Sequence, residues 1–371
     1  MSDGKPPRYV IYGAGAVGGT IGGLLTRTGS NVICVARPAY AEALRQGVVL
    51  NLDGRGTTVK AEAVTAIRDV HPESRDIIII TTKSQMTGPV VDELAEVYDN
   101  KVRVVCLQNG VRNEEIAGRK FENVYAGLVF FSAVQLEPGS VSLPQGLTVA
   151  IGCYPNGVDD TARQLCDELT SAGFDAVASA HVMAMKWGKL VANLNNATHA
   201  ITGYWLERGM AETEMRKLML EVREEGLRVL DAAGIAVEPP AGEASPIRIR
   251  EMTEKLKLPP STSRRGLDLP EERRTYASMW QDLILGRPSS EADFLNGEIV
   301  RLGGEVGIDT PYNSALLEIV NRMFDGELRP GIHTPAELRA LIGSSAGRAH
   351  DQRGNSLGFK GCKPGSKRSS S

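Results

Sequence analysis

Gly13-Ala14-Gly15-Ala16-Val17-Gly18 follows the apolar run Tyr9-Val10-Ile11-Tyr12 and opens a segment of helical spacing that continues to about Thr28. The pattern is G-x-G-x-x-G. Its first glycine permits a tight turn, its second lets backbone approach a pyrophosphate, and its third lets helix pack closely on strand. The helix N-terminus, with unsatisfied N–H groups and the positive end of the dipole, favours anionic phosphates. Glycines also cluster in plain turns, so the motif alone is weak. Here strand, turn, helix and a second strand, Val32-Ile33-Cys34-Val35, stand in the required order, which favours dinucleotide binding.

Further strands are read at Ile77-Ile78-Ile79-Ile80 and Val102-Arg103-Val104-Val105-Cys106, with a helical segment from Val90 to Tyr98 between them. Near-continuous β-branched runs suit strands buried on both faces, which predicts a parallel sheet with helices on either side. The fold class is therefore α/β, a Rossmann-type doubly wound sheet. Beyond about His181 the strand-like runs largely disappear. Helical spacing predicts helices over His181–Ile201, Glu212–Ala233, Arg273–Leu285, Ser290–Val306 and Pro311–Phe324. The expected domains are a dinucleotide-binding domain over 1–180 and an all-α domain over 181–343. Six prolines between 238 and 272 mark an insertion, read as a surface excursion with a substrate lid as the other reading. Residues 344–371 are Gly- and Ser-rich, with six Lys/Arg against one Asp, and are expected to be a disordered tail.

Composition narrows the class. Of 371 residues, 42% are hydrophobic and 23% charged, an ordinary balance for a globular chain. The net charge of −3 gives no overall basic field, so neither nucleic acid nor membrane is an expected partner. The opening residues carry no apolar run of the secretory kind, and no stretch approaches the roughly 18 apolar residues that span a bilayer. Cys34, Cys106, Cys153, Cys166 and Cys362 are widely spaced, without a CxxC pair. Reduced thiols and a cytoplasmic location are expected, with no metal site.

The end of the second strand bears on which dinucleotide is bound. NAD-preferring sites usually place an acid there for the ribose 2′-hydroxyl. This chain has Val35-Ala36-Arg37-Pro38, and the Arg37 guanidinium suits a 2′-phosphate, which points to NADP(H). Lys83, in Thr81-Thr82-Lys83-Ser84, and Asn109, in Gln108-Asn109-Gly110, each follow an apolar strand, where ligands sit in open α/β sheets. Taken singly, each is also an ordinary loop residue.

Two clusters lie in the helical half. On one continuous helix over His181–Ile201, Lys186, Lys189, Asn193 and Asn196 fall within about 80° of one face. A solvated outer face would more usually carry Glu, Lys and Arg than paired Asn, and Asn is a poor helix former, so this stripe suggests a wet cleft. The second cluster is Ser278-Met279-Trp280-Gln281-Asp282 followed by Ser290-Glu291-Ala292-Asp293-Phe294-Leu295-Asn296-Gly297. Arg287-Pro288 breaks one helix and Ser289 or Ser290 caps the next, putting Glu291 in a first turn. Spacing alone makes that glutamate structural.

GAGAVG, TTKS, CLQNG, KWGKLVANLNNA, SMWQD and SEADFLNG occur in the order found in ketopantoate reductases (2-dehydropantoate 2-reductases), and the chain resembles that family from residue 8 to about 342. The resemblance implies a Rossmann domain followed by a helical domain like that of 6-phosphogluconate dehydrogenase, with NADPH reducing a 2-oxo acid between them. It makes Lys189 the proton donor and Asn193 a substrate-binding amide. Lys83, Asn109 and Glu291 fall near cofactor and reacting carbonyl, and Ser278 at the substrate carboxylate. The chain departs from the family pattern at Ala197, where a second asparagine is usual. Asn196 stands one residue early as a shifted equivalent. The proline-rich insertion also exceeds the usual length.

These readings give a mechanism in which the Lys189 ammonium polarises and then protonates the developing alkoxide. Glu291 orients Lys189 or binds the new hydroxyl. Asn109, Asn193, Asn196 and Ser278 offer neutral hydrogen bonds to carboxylate and hydroxyl. The cofactor site comprises Gly13, Ala14, Gly15, Ala16, Val17, Gly18, Arg37, Lys83, Asn109 and Glu291. The expected reaction is ketopantoate to pantoate, serving coenzyme A synthesis. A reductase of another 2-oxo acid, an opine- or hydroxyacid-type dehydrogenase and a non-catalytic NADPH sensor are the alternatives, and homodimer formation is left open.

Overall fold

A computed structural model describes residues 5–343 except 53, 132, 134–137, 144–145, 239–248 and 259–267. Its first half contains β1 (Arg8–Tyr12), α1 (Ala16–Arg27), β2 (Asn31–Val35), α2 (Pro38–Gln46), β3 (Val48–Leu52), β4 (Arg55–Val59), β5 (Glu62–Val64) and β6 (Asp76–Ile80). It continues through α3 (Thr87–Val97), β7 (Arg103–Cys106), α4 (Asn113–Gly118), β8 (Asn123–Phe130), β9 (Ser140–Leu143), β10 (Thr148–Cys153), α5 (Asp160–Ser171) and β11 (Asp175–Ala178).

The main sheet has the order β11-β10-β8-β7-β6-β1-β2-β5. From β5 to β8 all neighbours are parallel, and the order reverses between β1 and β6. That reversal opens a crevice at the carboxyl ends of the strands. The four-isoleucine run shows why the sheet holds: Ile77 to Ile80 have no exposed surface. Ile77 and Ile79 pack in one core cluster with residues of α1 and α5, Ile78 and Ile80 in another with residues of α3. Each such buried side chain contributes about 1.5–3 kcal/mol.

The expectation of a parallel sheet fails at one edge, where β10 runs antiparallel to β8. Parallel neighbours need a long crossover, usually a helix, and the chain from β8 to β10 instead detours through β9, which pairs with β3. A second sheet, β4-β3-β9, results. Its strands are short, and β4 (Arg55-Gly56-Thr57-Thr58-Val59) and β9 (Ser140-Val141-Ser142-Leu143) carry no continuous apolar run.

The second half contains α6 (Val182–Asn193), α7 (Asn195–Thr202), α8 (Leu206–Ala211), α9 (Thr213–Ala232), α10 (Ile249–Lys257), α11 (Ser278–Ile284), α12 (Asn296–Val306) and α13 (Pro311–Phe324), with a last helix over 335–343. Leu190, Leu194, Leu218, Val222, Ile299 and Leu316 are among its fully packed core residues. Val182 and Met185 of α6 instead pack with Leu128 of β8 and Ala150 of β10, so α6 lies on the sheet itself.

Three predicted helices are corrected. His181–Ile201 is two helices broken at Leu194. Arg273–Leu285 is helical only from Ser278, because Thr275 is drawn out to accept from the Leu206 N–H at 2.8 Å and Arg274 lies over the Trp205 ring. Ser290–Val306 begins with a 3-10 turn over Ala292–Phe294, and α12 starts only at Asn296. Glu291 therefore precedes a 3-10 turn and is not in the first turn of an α-helix. Ser290 Oγ does accept from the Ala292 N–H, at 3.1 Å.

The proline-rich insertion carries α10, which packs on α9 and is tied down by Arg216 donating to Lys255 O and, at 2.8 Å, to Leu258 O. Residues 239–248 and 259–267 of the insertion, and the 344–371 tail, lie outside the described residues. Among the described residues no helix is long and apolar enough to cross a membrane.

Candidate active site

The glycine turn sits at the sheet's reversal point. Gly13 has φ 94°, open to glycine at little strain. A Cβ on Gly13 would collide with Thr82, and one on Gly18 with Thr81 and, at 2.9 Å, the Gly13 carbonyl. Thr81 Oγ1 lies 3.0 Å from the Gly13 carbonyl oxygen and 3.2 Å from that of Tyr12, so the loop after β6 braces the turn after β1. A Cβ on Gly15 would meet nothing nearer than 4.0 Å. The N-terminus of α1 has no side-chain cap and no acid in its first turn. Arg37 is exposed at the end of β2, its guanidinium 4.8 Å from the centre of the Tyr40 ring.

Across the crevice, Glu291 ties the helical half to the sheet. Its carboxylate accepts from the Ser84 N–H at 3.3 Å, from Lys83 Nζ at 3.4 Å and from Asn109 Nδ2 at 3.3 Å, with Ser84 Oγ 3.0 Å away. Burial opposes ionisation of this 6% exposed group. Lys83 and the donors on Ser84 and Asn109 outweigh that penalty and hold it below the usual carboxylate range. Lys83 also donates to Asp282 of α11 at 2.9 Å. Lys83, Asn109 and Glu291, far apart in sequence, thus form one cluster.

Lys189 lies on α6, partly buried, with Nζ donating to the Val129 carbonyl of β8. Burial first, then the neighbouring charge of Lys186, lowers its pKa to about 8, while Glu291 pulls it upward. Lys189 and Asn193 line a cleft with Gln108, Asn109 and Gly110. Lys186 lines it too, but does not belong to a solvated stripe. It is 3% exposed and paired with the buried Glu114 of α4. The helix spacing gave its direction correctly and had no means of showing a carboxylate waiting there.

The break at Leu194 separates Asn193 from Asn196. Asn196, on the first turn of α7, donates to Ser278 Oγ at 3.3 Å, while Ala197 is fully buried in the helical core. Of the two readings of Glu291, orienting Lys189 or binding the new hydroxyl, neither is made here by a hydrogen bond to Lys189. Lys189 and Glu291 act on one another through charge. Ser84 and Asp282 were missed as site residues although both stand inside quoted motifs. Gln108, whose buried Oε1 has no partner among the described residues, was passed over as the residue beside Asn109.

Compared with known proteins, residues 9–156 match the model of ketopantoate reductase PanE/ApbA and residues 181–324 match that of its C-terminal region. The chain belongs to the ketopantoate reductase family. A 2-dehydropantoate 2-reductase from Archaeoglobus fulgidus is 31% identical over 86% of this chain and 98% of its own length. One from Pyrococcus horikoshii is 27% identical over 84% and 96%. A solved PanE/ApbA family ketopantoate reductase from Ralstonia eutropha JMP134 superposes with a TM-score of 0.72 at 28% identity, covering 86% of this chain and 99% of that one. A D-mandelate dehydrogenase solved with NADH and anilino(oxo)acetate, 24% identical, shares the fold with a TM-score of 0.71 over 86% of this chain and 99% of that one. All the motifs that carried the ketopantoate reductase resemblance lie within the two matched stretches.

Proposed function

We propose that the chain reduces ketopantoate to pantoate with NADPH, in pantothenate and coenzyme A biosynthesis in the cytoplasm. The observation that carries this reading is the convergence of Lys189 and Asn193 from α6 with Asn109 from the end of β7 in one cleft, beside the Glu291 cluster. In this reading residues 1–180 bind NADP(H) and contribute Asn109 to the substrate, and residues 181–343 supply the other substrate-binding and catalytic side chains.

The residues present fit the cofactor. The open space at Gly15 and the uncapped N-terminus of α1 suit a pyrophosphate. Arg37, with no acid in Val35-Ala36-Arg37-Pro38, suits a 2′-phosphate. When bound, NADPH supplies a hydride to the ketone carbon.

The rest of the reaction falls to the chain. Lys189 polarises the carbonyl oxygen as its electron pair moves onto that atom, then gives it a proton from Nζ and regains one from solvent. A lysine near pKa 8 suits this role, being largely protonated near neutrality yet a better proton donor than an ordinary lysine. Glu291 fixes Lys83, Ser84 and Asn109 and lends negative charge that keeps Lys189 protonated. Asn109, Asn193, Asn196 and Ser278 bind the substrate carboxylate and hydroxyl.

The test is NADPH oxidation with ketopantoate beside 2-oxoisovalerate and an aromatic 2-oxo acid. A site that hydrogen-bonds the distal hydroxyl penalises an analogue without it, so kcat/KM for ketopantoate is expected to exceed both. A better aromatic substrate would move the assignment to another 2-oxo acid, and no turnover with any would favour a binding module. A homodimer belongs to this proposal and is tested by sedimentation velocity. A fold relative from Staphylococcus aureus, 21% identical with a TM-score of 0.66, is described as a dimeric ketopantoate reductase.

A further inference from the structure

Leu194 stands between the helix that carries Lys189 and Asn193 and the helix that carries Asn196. Its carbonyl accepts from Asn296 Nδ2, at 3.1 Å, from the first residue of α12. The same Nδ2 donates to Asn313 Oδ1 at 2.9 Å. Asn313 Nδ2 in turn donates to Glu225 Oε1 at 2.8 Å and to the Val222 carbonyl at 3.3 Å. Glu225 also accepts from the backbone N–H groups of Tyr312 and Asn313, at 3.0 and 2.8 Å. Asn296, Asn313 and Glu225 are all fully buried.

The chain of bonds has one orientation. Glu225 faces three N–H donors and acts as acceptor, so Asn313 must turn its NH2 toward it. That leaves Asn313 Oδ1 facing Asn296, whose own NH2 must meet both Asn313 and Leu194. The remaining atom, Asn296 Oδ1, is buried without a partner among the described residues. An unpaired buried acceptor is destabilising and calls for a reason, and stability alone would be better served by an apolar side chain. A side chain reaching into the i→i−4 ladder is a known cause of helix kinks, and the break here is of that kind, since Leu194 itself keeps helical angles, φ −53° and ψ −35°.

We propose that Asn296 is a positioning residue for the oxo-acid site, acting by holding the Leu194 carbonyl at the break between α6 and α7. The break leaves Asn193 in the cleft beside Lys189 and brings Asn196 to Ser278 on α11. Asn195, the buried residue beside the break, reinforces it by donating to the Met219 carbonyl of α9 at 3.2 Å. The inference rests on reading Asn193, Asn196 and Ser278 as substrate contacts.

The test compares Asn296→Ala and the milder Asn296→Ser with Leu230→Ala, a core truncation on α9 of comparable effect on Tm. KM for ketopantoate is expected to rise roughly tenfold in Asn296→Ala, the scale of one lost hydrogen bond to a charged group. The Kd for NADPH, read by fluorescence, stays within about twofold because the cofactor loops are untouched. Adding Asn196→Ala should then raise KM further by much less than it does alone, because Asn296 acts through that side chain. A KM no higher than that of Leu230→Ala, or fully additive effects, overturns the proposal. If instead Asn196→Ala and Asn193→Ala leave KM unchanged in the wild-type background, the substrate-contact reading has failed, and the two failures are distinct.

Discussion

Lys186 and Glu114 form an ion pair buried between α6 and α4, with side chains 2% and 0% exposed. Burial raises the Glu114 carboxyl above its usual range, and the Lys186 charge works against that rise. Such a pair adds little net stability compared with apolar side chains, yet breaking it strands a buried charge. Lys186 stands three positions before Lys189, on the same face of α6. Its fixed charge therefore bears on Lys189 as well as on Glu114.

Lys186→Met is expected to destabilise the fold by about 3–5 kcal/mol in chemical denaturation, the scale for removing one partner of a buried pair. It should also move the basic limb of kcat/KM upward, since a charge that lowers Lys189 is gone. An unmoved limb would reduce Lys186 to a structural role.

Lys189→Ala should lower kcat by roughly 10²–10⁴, the scale of a lost general acid. NADPH binding should survive, because Lys189 lies on α6, away from the glycine turn. Near-normal turnover would move the proton donor elsewhere, with Lys186 the first side chain to examine.

In the proposed mechanism the acid form of Lys189 is the active one, and its pKa is lowered to about 8. The profile of kcat/KM for the oxo acid should therefore be level below that pH and fall above it, by tenfold per pH unit. In Glu291→Gln the limb should shift to lower pH, since Glu291 raises Lys189. A shift to higher pH would show that Glu291 does not act on Lys189 through its charge.

Arg37→Asp should weaken NADPH selectively by replacing a cation with a carboxylate where a 2′-phosphate would sit. The ratio of kcat/KM for NADPH to that for NADH is the measurement. Wild-type values that are equal, or that favour NADH, would remove Arg37 from the phosphate role.

What the sequence determined by itself was whatever rests on local periodicity. The β-branched runs and G-x-G-x-x-G marked β1, β2, β6 and β7, the turn and its helix, because strand burial and glycine geometry depend on a few consecutive residues. Helical spacing likewise found α9 and α13 closely. Only the tertiary structure decided the rest. Pairing of β8 with β10 depends on a detour through another sheet, and polar strands such as β4 carry little pattern of their own. The break at Leu194 depends on Asn296, 102 residues away, and the burial of Lys186 on Glu114, 72 residues away. Glu291, which spacing alone left structural, joins the candidate site because Lys83, Ser84 and Asn109 converge on it from about two hundred residues upstream. Such contacts are set by how helices pack on the sheet, and a one-dimensional pattern holds no record of which distant side chain fills each buried partner's place.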